Sequence, residues 1–179
     1  MTQIYGVTGM PLSGKTTVAE IMEEEGFSVL DMGEVVRIEM DKRGIKSGNE
    51  GSFVNKLREE HGMDAIAQIS VPYLREIIEE KDSIVITGMR GWSEKKRFED
   101  ELNQEIDIIG VWASRKTRKE RREERQREED RKGDGFHERD IREIENGIGK
   151  MLALSDHLIE NNNITMNELE EEVKELVIS

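Results

Sequence analysis

The chain has 179 residues, 35% apolar and 37% charged, with 40 acidic against 27 basic side chains, a net charge of −13 and no cysteine. That length suits one well-buried domain. The missing cysteines exclude disulfides, thiolate zinc sites and a cysteine nucleophile, and the acidity argues against general nucleic-acid binding by phosphate neutralisation. No apolar run reaches the ~20 residues of a membrane span, and MTQIYGVTG lacks the basic and long apolar segments of a signal peptide, so the expected compartment is the cytoplasm.

Ile4 to Val7 reads as a short buried strand ending at Thr8-Gly9. Val18, Ile21 and Met22 fall at helical spacing after Gly14, and Gly26 supplies a stop. Phe27 to Leu30 is a second strand, and Val35, Val36 and Met40 mark a helix that stops near Gly44. A polar, glycine-rich break at 44–52 leads to helical stretches near 52–61 and 63–80, the second with Pro72 expected to kink it. Ser83 to Ile86 is a third strand, 93–102 a helix, and Ile106 to Trp112 a fourth strand, with Trp112 expected in the core. A very charged helix over 115–131 breaks at KGDG. Ile141, Ile144, Ile148, Met151 and Leu152 predict one amphipathic helix, and His157 to Ile159 a short fifth strand. Thr165 and Glu168 form a capping box for a last helix that turns Leu169, Val173 and Leu176 inward. The methionines fall at core spacing. His61, His137 and His157 lack metal-ligand spacing and are expected to be structural.

Strands alternating with helices imply an α/β fold with a five-stranded parallel sheet covered on both faces. Ligands of such sheets bind beyond the carboxyl ends of the strands. There the sequence places GMPLSGKTT (9–17), Asp31-Met32-Gly33, Thr87-Gly88-Met89-Arg90 and Ala113-Ser114. Gly9, Gly14, Lys15 and Thr16 satisfy the spacing G-x-x-x-x-G-K-[ST] between a strand and a helix. Backbone N–H groups of such a loop cradle phosphates, Lys15 reaches the outer phosphates, and the Thr16 hydroxyl is the candidate Mg²⁺ ligand. The expected nucleotide-binding residues are Gly9, Met10, Pro11, Leu12, Ser13, Gly14, Lys15, Thr16 and Thr17.

Phosphoryl transfer needs positive charge around donor and acceptor oxygens. Arg37 and Arg90 lie near the ligand edge of the sheet, and nine arginines crowd residues 115–142. Arg115, Arg118, Arg122, Arg131 and Arg142 are expected on a solvated face held by i,i+4 pairs. Asp31 is a candidate base for a hydroxyl acceptor, or a helix cap, and Trp92, near Arg90, is a candidate to pack on a ligand.

The chain resembles, over nearly its whole length, the archaeal adenylate-kinase-related branch of the P-loop nucleotide kinases. GMPLSGKTT is similar to that family's phosphate loop, and DMGEVVR (31–37) and ITGMRGWSEKKRF (86–98) to the segments whose arginines, here Arg37 and Arg90, hold the acceptor phosphate. ASRKTRKERREERQREED (113–130) with FHERDIRE (136–143) resembles the lid, and GIGKMLALSDHLIENN (147–162) the return to the core. The resemblance implies that Arg121 stacks on the donor base and Arg125 reaches the donor phosphates. It implies too that Arg127 and Arg139 clamp the transferring group and that Asn161 lies near the donor base. It makes Lys15, Arg90, Arg127 and Arg139 the catalytic group, and Asp31, Gly33, Arg37, Gly88 and Arg90 the acceptor site. It further implies one P-loop NTPase domain with core segments 1–37, 81–114 and 140–179, an acceptor-binding helical insertion over about 38–80, and a short hairpin lid over about 115–139.

The sequence departs from the pattern at Thr87, where related kinases carry an aspartate that orients magnesium waters, at Leu12 in a usual glycine position, and at Arg115 and Glu129. The first expectation is ATP- and Mg²⁺-dependent transfer to a nucleoside monophosphate such as AMP. Two alternatives stay open: transfer to a hydroxyl, as on dephospho-coenzyme A, and a nucleotide-dependent assembly ATPase acting on a basic protein partner.

Overall fold

The computed structural model describes residues 2–125 and 135–178, and its centre is a parallel sheet of five strands. These are β1 (Gln3–Gly9), β2 (Ser28–Asp31), β3 (Ser83–Thr87), β4 (Asp107–Trp112) and β5 (His157–Glu160), in spatial order β2-β3-β1-β4-β5. Among the described residues the helices are α1 (Lys15–Glu24), α2 (Met32–Lys42), α3 (Glu50–His61), α4 (Ala65–Glu80), α5 (Trp92–Leu102), α6 (Arg115–Arg125), α7 (Phe136–Glu145), α8 (Ile148–Ala153) and α9 (Met166–Ile178). None of them is long and apolar enough to cross a membrane.

Strand side chains alternate between faces, so the sheet builds two cores. Ile4, Ile84, Ile86 and Ile108 face a cluster with α2, α3, α4, α5 and Met151 of α8. Tyr5, Val7, Val85, Ile109 and Val111 face the opposite cluster, covered by α1 and α9. Met22, Met32, Met40, Met89 and Met151 are buried as expected, whereas Met63 and Met166 are exposed. The box at Thr165 forms: the Glu168 carboxylate accepts from Thr165 N–H at 2.7 Å, and the Thr165 hydroxyl accepts from Glu168 N–H at 3.2 Å.

Three expectations need correction. The amphipathic stretch after residue 136 is two helices, because Gly147 adopts φ +111 between them. Ile141 and Ile144 face outward, and the buried residues of α7 are Asp140 and Glu143. Trp112, at the end of β4, is 41% exposed rather than in the core. Pro72 lies inside α4, which is assigned continuously from Ala65 to Glu80.

β1 pairs with β3 through Val7↔Thr87 and with β4 through Gly9↔Val111, and β2 pairs with β3 through Asp31↔Thr87. This register brings the phosphate loop, Asp31 and Thr87 to one edge of the sheet.

Candidate active site

The loop between β1 and α1 turns through Leu12 at φ +66 and Gly14 at φ +100. The first is a strained value for leucine. A Cβ on Gly14 would lie 2.2 Å from Asn161 Nδ2, so a side chain at Gly14 and the present position of Asn161 exclude each other. The loop carbonyls are tied down from outside. Arg118 Nη1 donates to Pro11 O at 3.3 Å, Arg121 Nη1 to Leu12 O at 3.0 Å and Ser13 O at 3.3 Å, and Asn161 Nδ2 to Ser13 O at 2.8 Å. Each trans peptide sets C=O and N–H on opposite sides. Fixing these carbonyls therefore turns the N–H groups of Leu12 and Gly14 the other way, as an anion cradle requires.

Lys15 Nζ donates to Met10 O at 3.4 Å. Burial pushes the lysine down from 10.5 to about 8; Glu143 opposes that fall, while Arg90, Arg139 and Arg118 add to it. Thr16 and Lys15 line a cleft of about 1030 Å³ that extends over α2 and α3. A second pocket of about 550 Å³ opens on the other side of the loop, with Thr17, Arg121, Arg125, Arg139, Asn161 and Met166 in its wall. The Thr16 hydroxyl and the Asp31 carboxylate share the large cleft, an oxygen donor set that suits Mg²⁺, which keeps several of its waters. Thr87, at the end of β3, offers the same cleft a hydroxyl where a carboxylate was the family pattern.

The residues expected to bind an acceptor also meet there. Asp31 caps α2 through the Gly33 N–H at 2.8 Å, with its other oxygen 3.6 Å from Arg37 Nη2. Arg90 Nη1 lies 3.2 Å from Glu143 Oε1. Gly33 and Gly88 line the same wall. Sequence reasoning missed Arg58, which α3 places in this cleft with Nη2 3.6 Å from Glu94 Oε1 and Nη1 donating to Asn146 Oδ1 at 3.1 Å. Glu94 is buried, which pushes its carboxyl up, while the N–H groups of Arg90 and Gly91 donate to it at 2.7 and 3.2 Å and pull it back. No local motif marks Arg58 or Glu143, because their partners are remote in sequence, whereas Glu94 sits three residues after Gly91 in a capping box at the start of α5.

Helices α6 and α7 correct another expectation. Arg118 is no solvated cation: it is 4% exposed and bonds Asp140 through both terminal nitrogens, at 2.7 and 2.8 Å. Arg115, Arg118 and Arg122 surround the Phe136 ring, with guanidinium carbons 5.3, 5.1 and 5.9 Å from its centroid. Arg122 and Arg142 line the large cleft. Arg121 holds the phosphate loop by its edge and also donates to Asn161 O at 2.8 Å. Trp92 packs against the core, with Lys95 Nζ 5.0 Å from its ring centroid. Arg127, Glu129 and Arg131 lie outside the described residues.

A family model described as an AAA domain matches residues 8–142. A UPF0200 protein of Pyrococcus horikoshii is 38% identical over 175 residues, covering 96% of this chain and 94% of the relative. One from Methanococcus maripaludis is 36% identical over 181 residues, covering 98% of each. The chain belongs to the UPF0200 family. This UPF0200 chain has the fold of P-loop kinases. It superposes on TT1252 from Thermus thermophilus with a TM-score of 0.68 at 17% identity, covering 99% of this chain and 96% of that one. The shikimate kinase of Acinetobacter baumannii, solved with shikimate, gives 0.61 at 16% identity, covering 99% and 94%. At such identities the likeness speaks for the fold, and the reaction has to be argued from the site.

Proposed function

We propose that this UPF0200 protein transfers the γ-phosphoryl group of ATP to a small phosphorylated acceptor, a nucleoside monophosphate such as AMP. One observation carries the reading: a single cleft has Lys15 and Thr16 at one end and Arg37, Arg58 and Arg90 along its wall. The phosphate loop and Lys15 bind and orient the donor phosphates. Arg121, Arg125 and Asn161, in the smaller pocket, flank the donor nucleoside. Arg37 and Arg90 hold the acceptor phosphate. Arg139 borders both spaces and meets the group in transit. The Thr16 hydroxyl would hold Mg²⁺, which would supply neutralising charge to the donor phosphates. Residues 38–80 form the acceptor wall, and about 115–139 the lid whose closure excludes water.

A second reading is favoured by Asp31, whose carboxylate lines the cleft at the carboxyl end of β2. A carboxylate there is placed to take a proton from a hydroxyl acceptor, as on dephospho-coenzyme A. A transfer screen with γ-³²P-ATP and Mg²⁺ tests both. Its acceptors are AMP, GMP, CMP, UMP and dephospho-coenzyme A, with a no-acceptor control and Lys15→Ala alongside. Label on a monophosphate, lost in Lys15→Ala and kept in Asp31→Asn, supports the first reading. Label on a hydroxyl, lost in Asp31→Asn, supports the second. Slow phosphate release without acceptor labelling sinks both and points to a nucleotide-dependent assembly role with a basic protein partner.

A further inference from the structure

Three buried carboxylates line the large cleft, and they differ in how they are used. Both oxygens of Asp140 bond Arg118. Glu94 Oε2 accepts two backbone N–H groups, and its Oε1 faces Arg58. Glu143 is 5% exposed, holds Arg90 by Oε1, and buries Oε2 with no hydrogen-bond partner among the described residues. A buried, half-satisfied carboxylate is costly unless surrounding charge supports it. Here Arg90, after β3, supplies it 3.2 Å from Oε1, and the opposite charge of Lys15 on α1 is close enough to interact with it. The Arg90 side chain is 47% exposed, so its anchored nitrogen faces the buried carboxylate while the rest of its fork remains reachable from the cleft.

We infer that Glu143 is a positioning residue: one buried carboxylate fixes Arg90 by one edge and so sets the direction in which the rest of that guanidinium faces the cleft. The inference rests on the reading that Arg90 holds the acceptor phosphate. A guanidinium gripped at one nitrogen presents its remaining donors in a fixed direction, and planar recognition of a phosphate needs that direction.

The test uses the full chain with Glu143→Gln, which keeps shape and removes charge, and Glu143→Asp, which keeps charge and shortens the reach. ADP binding, and AMP binding at saturating ADP and Mg²⁺, are measured by calorimetry. Expected in Glu143→Gln are a roughly tenfold loss of AMP affinity and an unchanged ADP affinity. Glu143→Asp should lose AMP affinity too, since the shortened carboxylate no longer reaches Arg90. In an Arg90→Ala background Glu143→Gln should cost no further AMP affinity, because the carboxylate acts through that guanidinium. A Glu143→Gln protein that binds AMP as well as the parent overturns the inference, as does the same loss in the Arg90→Ala background or an equal loss of ADP affinity. A parent that binds no AMP overturns the monophosphate reading, and the inference with it.

Discussion

The two halves of the cleft are built by different means. On the proposed donor side a backbone loop lies beside Lys15 and Thr16, and arginines act behind it: Arg118 and Arg121 grip loop carbonyls, with Asn161 beside them. On the proposed acceptor side each of three arginines carries a carboxylate, in the pairs Arg37–Asp31, Arg58–Glu94 and Arg90–Glu143. A loop held by its carbonyls is preorganised for any polyphosphate. Arginine–carboxylate pairs instead fix where each fork points, and a change of one partner redirects it. The donor half thus reads as generic and stiff, and the acceptor half as the seat of specificity.

The largest effect should come from breaking the brace behind the donor loop. Asp140→Asn leaves Arg118 buried and charged against Pro11 O, and loss of one partner of a buried pair costs about 3–5 kcal/mol. A thermal melt should fall by on the order of 10 °C for a domain of this size. A melt within a degree or two of the parent would show that the loop does not depend on this brace. Next comes Lys15→Ala, which removes a cation aimed at the transferring phosphates. Transfer in the labelled-ATP assay should fall roughly 10²–10³-fold, while the melt below pH 8 should rise, because a buried cation with a lowered pKa burdens the folded state.

The pH dependence sharpens the donor side further. Lys15 titrates near 8 in the folded chain against 10.5 unfolded. Bound phosphates favour its charged form, so ADP affinity should be flat below about pH 8 and fall by up to tenfold per unit above it. Stability moves the other way: between about 8 and 10.5 the unfolded chain holds more protons at this site, so its penalty on folding is full below 8 and is relieved as pH rises. Calorimetry in two buffers of different ionisation enthalpy should detect proton uptake on ADP binding at pH 9 and none at pH 7.

These expectations also mark what the sequence can tell. The strands and the phosphate loop were legible because their signals are local: apolar runs at Ile4–Val7 and Ser83–Ile86, and fixed spacing from Gly9 to Thr16. Helix α7 was misread for a physical reason. Its isoleucines repeat at helical spacing, which normally marks the core face. Its buried face instead meets arginines: Asp140 turns inward to Arg118 and Glu143 to Arg90, while Ile141 and Ile144 face out. Arg118 looked like one solvated cation among many, because its partner Asp140 is 22 residues away. Arg37 and Asp31 share the window 31–37, but Arg58–Glu94 and Arg90–Glu143 join α3 to α5 and the turn after β3 to α7, and no local window contains them.

The smallest effect tests the acceptor half at its most exposed pair. Arg37 and Asp31 lie 3.6 Å apart with side chains 58% and 41% exposed, a geometry in which solvent screens most of the attraction. Arg37→Ala should therefore change the melt little, since exposed pairs contribute at most about 1 kcal/mol. Binding should respond differently, because a phosphate dianion offers the fork a stronger partner than a shared carboxylate. The expected outcome is a KM for the monophosphate raised roughly tenfold at unchanged KM for ATP. An equal rise in both constants would mean that Arg37 shapes the cleft as a whole. It would also remove the distinction between a generic donor half and a selective acceptor half at this residue.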